Sequence, residues 1–186
     1  MPPIVRMTAV RRRRRVIALG CGVAPWLTVS TMRRSVRAAA YIAAGLALAS
    51  AATTAYWLFG GTALLDTLGG SVERLARDRS GEALALAAAV VVIKSGAGLL
   101  ALLLLAPAWR GWRMIVALDI LAAAVLCLWG GANVLVGAAV LSGAIQRADV
   151  NRHALRWHVF LWDAWFLVWG VVLAVAVLGA IHDRHR

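Results

Sequence analysis

Four apolar runs decide what this chain can become: residues 38–58, 83–105, 114–143 and 158–181. Each is long enough to cross about 30 Å of hydrocarbon at about 1.5 Å per residue of helix. None shows the polar stripe of a helix lying on a soluble core, where one face meets water. Backbone amides in lipid find partners only within a helix or a closed barrel, so apolar runs of this length read as helices. The expected fold is all-α: a four-transmembrane-helix bundle over 32–186, built as two parallel helical hairpins. Composition agrees, with 62% apolar and 15% charged residues, against about 45–50% and 25% in soluble domains. Little chain remains for a separate soluble catalytic domain.

Charge gives a direction. Lys plus Arg is 20 against 8 acids, a net +12. With the N-terminus inside, the inner face carries Arg6, Arg11 to Arg15, Arg33, Arg34 and Arg37, then Arg110, Arg113, Arg184 and Arg186. The outer loops carry Arg74, Arg77, Arg79, Arg147, Arg152 and Arg156, diluted by Glu73, Asp78, Glu82 and Asp149. The positive-inside rule then places both termini in the cytoplasm; without residues 1–31 the two sides come nearly even. The arginines read as topogenic charge beside anionic headgroups. No folded basic module or aromatic platform accompanies them, so nucleic acid is not an expected partner. Lys94 is the only lysine in an alanine-rich, arginine-rich chain, a bias that fits a GC-rich bacterial genome. The expected location is therefore a bacterial inner membrane. The bilayer, and another membrane protein or a second copy of the chain, are the expected partners.

Residues 1–31 form an arginine-rich tail. Val16 to Ser30 looks like a signal-peptide core, but it is too short to span, is broken by Pro25 and lacks a cleavage site. Met32-Arg33-Arg34 before the first span reads as a natural start, so the tail is expected to be an over-extended start or disordered. Cys21 and Cys127 form no CxxC and no zinc-like spacing. Phosphate-binding, dinucleotide, zincin and nucleophile-elbow motifs are likewise missing. No cofactor, metal or catalytic set is expected.

Chemistry is left to the ionisable residues inside the spans, which are costly to bury. Lys94 lies near mid-span. Asp119 lies toward the inner side of the third run and Asp163 toward the outer side of the fourth. Along ideal helices Lys94 is within about 9–12 Å of depth of either carboxylate. The expectation is one structural ion pair, with Asp163 slightly favoured on depth. A proton or ion path using all three is the alternative, and a snorkelling lysine without a partner is the third. Asp119, Ala123, Leu126, Gly130, Asn133 and Gly137 share one helix face of small or polar residues, expected to look into the bundle with Asn133 bonding across it. His158, Trp162, Trp165 and Trp169 repeat at four, three and four. This stripe places His158 at the outer boundary in solvent or headgroups, Trp162 in an interfacial belt and Trp169 between helices; a lipid- or quinone-binding pocket is its sharper reading. In the longest loop, Gly60-Gly61 and Gly69-Gly70 bracket Asp66, and Leu64, Leu65, Leu68, Val72 and Leu75 recur at near-helical spacing. A short amphipathic segment hinged at glycines is expected there, a cap on the outer face or, less simply, a lid with Asp66 at its mouth.

These residues also carry a resemblance. Trp57-x-x-Gly60-Gly61 with Asp66-x-x-Gly69-Gly70, then Trp129-Gly130-Gly131-Ala132-Asn133, then Trp162-Asp163-Ala164-Trp165-Phe166 resemble, over residues 36–181, a bacterial membrane family known only as domain of unknown function 3995. The resemblance implies a small four-helix inner-membrane protein and brings no reaction, cofactor or catalytic residue. Residues 1–31 have no counterpart in that pattern. The function classes left open are a non-enzymatic accessory or small-ligand-binding bundle and a transporter or ion-conducting element using Lys94, Asp119 and Asp163.

Overall fold

The structure, a computed structural model, describes residues 33–147 and 150–185. The tail 1–31, the start at Met32, and the charges of Asp149 and Arg186 lie outside the described residues.

Each apolar run forms a helix. They are α1 (Arg34–Leu58), α3 (Gly81–Leu103), α4 (Trp112–Leu141) and α6 (Asp163–Arg184), with short α2 (Gly70–Asp78) and α5 (Arg152–Trp157) at one end. A π-helical turn, His158–Trp162, joins α5 to α6, so that residues 152–184 run as one helix. All four long helices are long and apolar enough to cross a membrane. The fourth starts at Arg152, not His158, because polar capping outruns the apolar run. The Asn151 side chain accepts from the amides of His153 and Ala154 and satisfies two orphan donors. Ser80 caps α3 in the same way, accepting from Ala83 N.

The fold is an all-helical bundle of two antiparallel hairpins, α1 with α3 and α4 with α6, and α1 also packs along α6. Small residues bring the backbones together. On α1 the buried positions include Ala39, Ala40, Ala43, Ala44, Ala47 and Ala51, and Gly98 of α3 faces Ala47. On α4 Asp119, Ala123, Gly130 and Gly137 are buried and Leu126 and Asn133 half-buried. A Cβ at Gly130 would fall 2.6 Å from Leu167 N, which is main chain on α6. Close approach of this kind substitutes for the hydrophobic effect where the surroundings are themselves apolar.

Large side chains point outward instead. Val92, Ile93, Leu128, Leu135 and Phe160 are each about 70% exposed or more. A soluble domain does not cover itself with so much contiguous apolar surface; a lipid-facing helix does.

Both described ends meet at one end of the bundle, where Arg33 pairs with Asp183 (3.4 Å, with the Arg33 amide on the same carboxylate at 2.8 Å). Trp112 donates to the Leu104 carbonyl (3.1 Å) and lies beneath Arg184, 4.4 Å from its ring centre. The opposite, loop end differs. Related to each other as repeats, the hairpins would place α3 against α4 as α1 lies against α6. Instead α3 and α4 touch sparingly, and the gap between them at the loop end is where the site lies.

Candidate functional site

Trp57 of α1 and Trp162 and His158 of the fourth helix tie the loop after α1 onto the bundle. The chain leaves α1 at Gly60 (φ +98°), passes a 3-10 turn at Leu65–Thr67, and reverses into α2 through Gly69 and Gly70, both left-handed (φ +61° and +62°). Glycine takes that conformation without strain, and Gly69 also lies against Ala154, where a Cβ would come within 2.7 Å. Gly61 packs on the Tyr56 ring. Trp162 donates to Thr67 Oγ1 (3.0 Å), whose hydroxyl donates on to the Leu64 carbonyl (2.6 Å). Trp57 donates to the Ala63 carbonyl (2.9 Å) and meets Trp162 edge-on, ring centres 5.5 Å apart. Trp162 therefore anchors the loop.

His158 is the third anchor, not a solvent or headgroup contact. Its Nε2 lies 2.9 Å from the Leu68 carbonyl and its Nδ1 3.1 Å from Asp163 Oδ2, with Asp163 6% exposed. Residues five apart diverge on an α-helix, but the wider π turn brings His158 and Asp163 to one side. The Leu68 carbonyl can only accept, so Nε2 carries a proton, and a second proton lies between Nδ1 and Oδ2. Whichever atom holds it, imidazolium with carboxylate or imidazole with carboxylic acid, the pair is neutral overall.

Lys94 pairs with neither carboxylate. Its amine donates to Thr54 Oγ1 (2.9 Å) and lies 3.5 Å from the Ser50 carbonyl, 5.7 Å above the Phe166 ring. Thr54 donates its own proton to the Ser50 carbonyl (3.1 Å), which leaves its lone pairs for the lysine. The expected ion pair fails for two reasons. Asp163 is held by His158, and Asp119 is far along α4 toward the other end. Lys94 bends toward the loop end, so its amine sits at the level of Thr54, about 6 Å below the last residue of α1. Asp119 itself is fully buried, and neither of its oxygens has a partner among the described residues.

Between these groups is a cavity of about 370 Å³. Its walls are Trp57 of α1, Ala87 and Val90 of α3, Trp129 of α4 and Phe166 of α6; Leu75 of α2 and Arg79, just after that helix, roof it. The polar part of the lining includes Thr53, Thr54, Lys94, Asn133, His158 and Asp163. Arg79 donates to the Trp57 and Leu58 carbonyls (3.3 and 3.2 Å), which clamps the roof to the end of α1. Leu86 and Trp129, 54% and 65% exposed, form opposite rims of the α3–α4 gap. The cavity therefore opens sideways, toward the surface that carries the exposed apolar side chains.

Other expected site residues fall elsewhere. Asn133 donates to the Trp129 carbonyl of its own helix (2.9 Å), not across an interface. Trp165 crosses to the Leu46 carbonyl (3.2 Å); Trp169 is buried between helices at 3% exposure, its indole nitrogen unpartnered among the described residues. Neither lines the cavity. Asp66 points outward, 3.8 Å from His153, so it does not guard the mouth. Among the described residues no three His, Cys, Asp or Glu side chains converge on a metal-sized site.

Fold and site thus define a small all-helical protein of membrane-spanning proportions with a laterally open, mostly apolar pocket at one end. The family model described as Protein of unknown function (DUF3995) matches residues 46–173, which include every residue lining that pocket. The chain belongs to this family. No curated protein and no solved structure gives a significant match.

Proposed function

We propose that this chain is an integral protein of the bacterial cytoplasmic membrane, with both termini inside, that binds a small amphiphile in the pocket between α3 and α4. The pocket carries the reading. It is concave, apolar-walled and furnished with a few convergent polar groups, the usual character of a ligand site, and its volume is at the small end of the usual range of about 300–1,000 Å³. The side opening between Leu86 and Trp129 suits a ligand arriving through the bilayer. The role is non-enzymatic, that of an accessory or ligand-binding bundle whose exposed faces are available to a membrane partner or a second copy. A transport role would need polar continuity from Lys94 and Asp163 to Asp119, and Asp119 is not part of the pocket lining.

Two experiments test it. Native mass spectrometry of the protein released from mild detergent is expected to show a retained amphiphile that Ala87→Trp, which fills the pocket, removes. Wild-type and filled protein with the same bare mass would overturn the ligand-binding reading. Reporter fusions after residue 185 and in the 143–151 loop should report opposite sides, with the C-terminus cytoplasmic. An extracytoplasmic C-terminus would overturn the orientation.

A further inference from the structure

Resting on the ligand-binding reading above, the geometry points to the class of ligand: a single-chain amphiphile with an acidic head, carboxylate or phosphate, seated on Lys94. Of the charges lining the pocket, the His158–Asp163 pair cancels itself, since the ring faces two acceptors at 2.9 and 3.1 Å and the pair must hold both protons. Arg79 spends its guanidinium on the carbonyls that end α1, and those carbonyls carry the negative end of the helix dipole. Lys94 has no such compensation. Its two oxygen neighbours, Thr54 and Ser50, are neutral, no carboxylate pairs with it among the described residues, and Phe166 offers only a ring face. An ammonium has three donors, and among the described residues only two oxygen partners meet them.

A half-buried cation among mostly apolar walls favours an anion, because the attraction is screened less than in open water and the hydrogen bond is charge-assisted. The walls set the rest of the ligand. Ala87, Val90, Leu86 and Trp129 lead from the lysine to the side opening, a path for one acyl or prenyl chain. At about 370 Å³ the cavity has no room for a second. An acidic head at Lys94 with the chain leaving between α3 and α4 satisfies the third donor and covers the exposed rims.

Binding to the full-length protein in zwitterionic nanodiscs tests this, using palmitate, hexadecyl phosphate and methyl palmitate as probes. Acidic probes are expected to bind at least about tenfold more tightly than the ester, the scale of one charge-assisted contact. Lys94→Met should remove that preference, so that acids and ester bind alike; Lys94→Arg should keep it. The ratio of palmitate to hexadecyl phosphate then identifies which acid the site prefers. Should Lys94→Met not fold, the acid-to-ester ratio of the wild type still decides. Equal binding of acid and ester, or an acid preference that survives Lys94→Met, would overturn the assignment and leave a neutral-ligand pocket standing. Failure of all three probes, with Ala87→Trp indistinguishable from wild type, would instead overturn the pocket itself.

Discussion

Gly130→Ala is expected to destabilise the bundle by about 3 kcal/mol, whereas Gly131→Ala, one residue on, should be neutral or stabilising by up to about 1 kcal/mol. Helix propensity favours alanine at both sites by a similar amount. The neighbours differ. A Cβ at Gly130 would lie 2.6 Å from Leu167 N and 2.7 Å from the Asp163 carbonyl oxygen, main-chain atoms that cannot swing aside. At Gly131 the nearest atom is the end of the Leu167 side chain at 3.7 Å, an ordinary contact. Relief at Gly130 therefore requires α4 and α6 to separate, and the Asp163 backbone moves with them. Denaturation in mixed micelles, followed by far-UV circular dichroism, measures both variants. Equal effects would show that the two helices do not touch there.

The same comparison shows what a sequence reveals about such a fold. Apolar length alone announces the four helices, because lipid permits few other solutions, and the stripe of Asp119, Ala123, Gly130 and Gly137 is visible as small residues at helical spacing. The pocket is hidden because it depends on departures from regularity. The π turn at His158–Trp162 rotates His158 onto Asp163, which a stripe counted at four, three and four cannot anticipate. Depth of Cα pairs Lys94 with the carboxylates, but a lysine stem displaces its amine by several ångströms. The relevant signal is milder: Thr54, a hydroxyl in a span made mostly of alanine, since Ser50 meets the lysine through its backbone carbonyl. A backbone carbonyl such as Leu68 leaves no mark in the sequence at all, so no residue type announces the loop's docking onto His158. The glycine pairs did mark where the loop bends, though only Gly60, Gly69 and Gly70 use positive φ.

Asp163→Ala should release the loop and cost about 1–3 kcal/mol, the usual penalty for leaving a partly buried polar group without its hydrogen-bond partner. The alanine leaves His158 Nδ1 without its hydrogen-bond partner beside a nearly closed wall, and the ring cannot turn away without losing the Leu68 carbonyl. Leu68 sits between the 3-10 turn and Gly69, so its release frees the segment that Trp162 and Trp57 otherwise hold. Hydrogen exchange at residues 62–69 is expected to accelerate far more than exchange in α1 or α3. Asp163→Asn is the informative control. Its amide can donate to Nδ1 of a neutral ring while Nε2–H still reaches Leu68, so the loop should stay docked and most of the stability should remain. His158→Phe alone should loosen the same segment, and adding Asp163→Ala to it should cost much less than on the wild-type background, a coupling of about 1–3 kcal/mol. Strict additivity would show that the two side chains act separately. Loosening by Asp163→Asn as severe as by Asp163→Ala would show that a formal charge, not the hydrogen bond, holds the loop over the pocket.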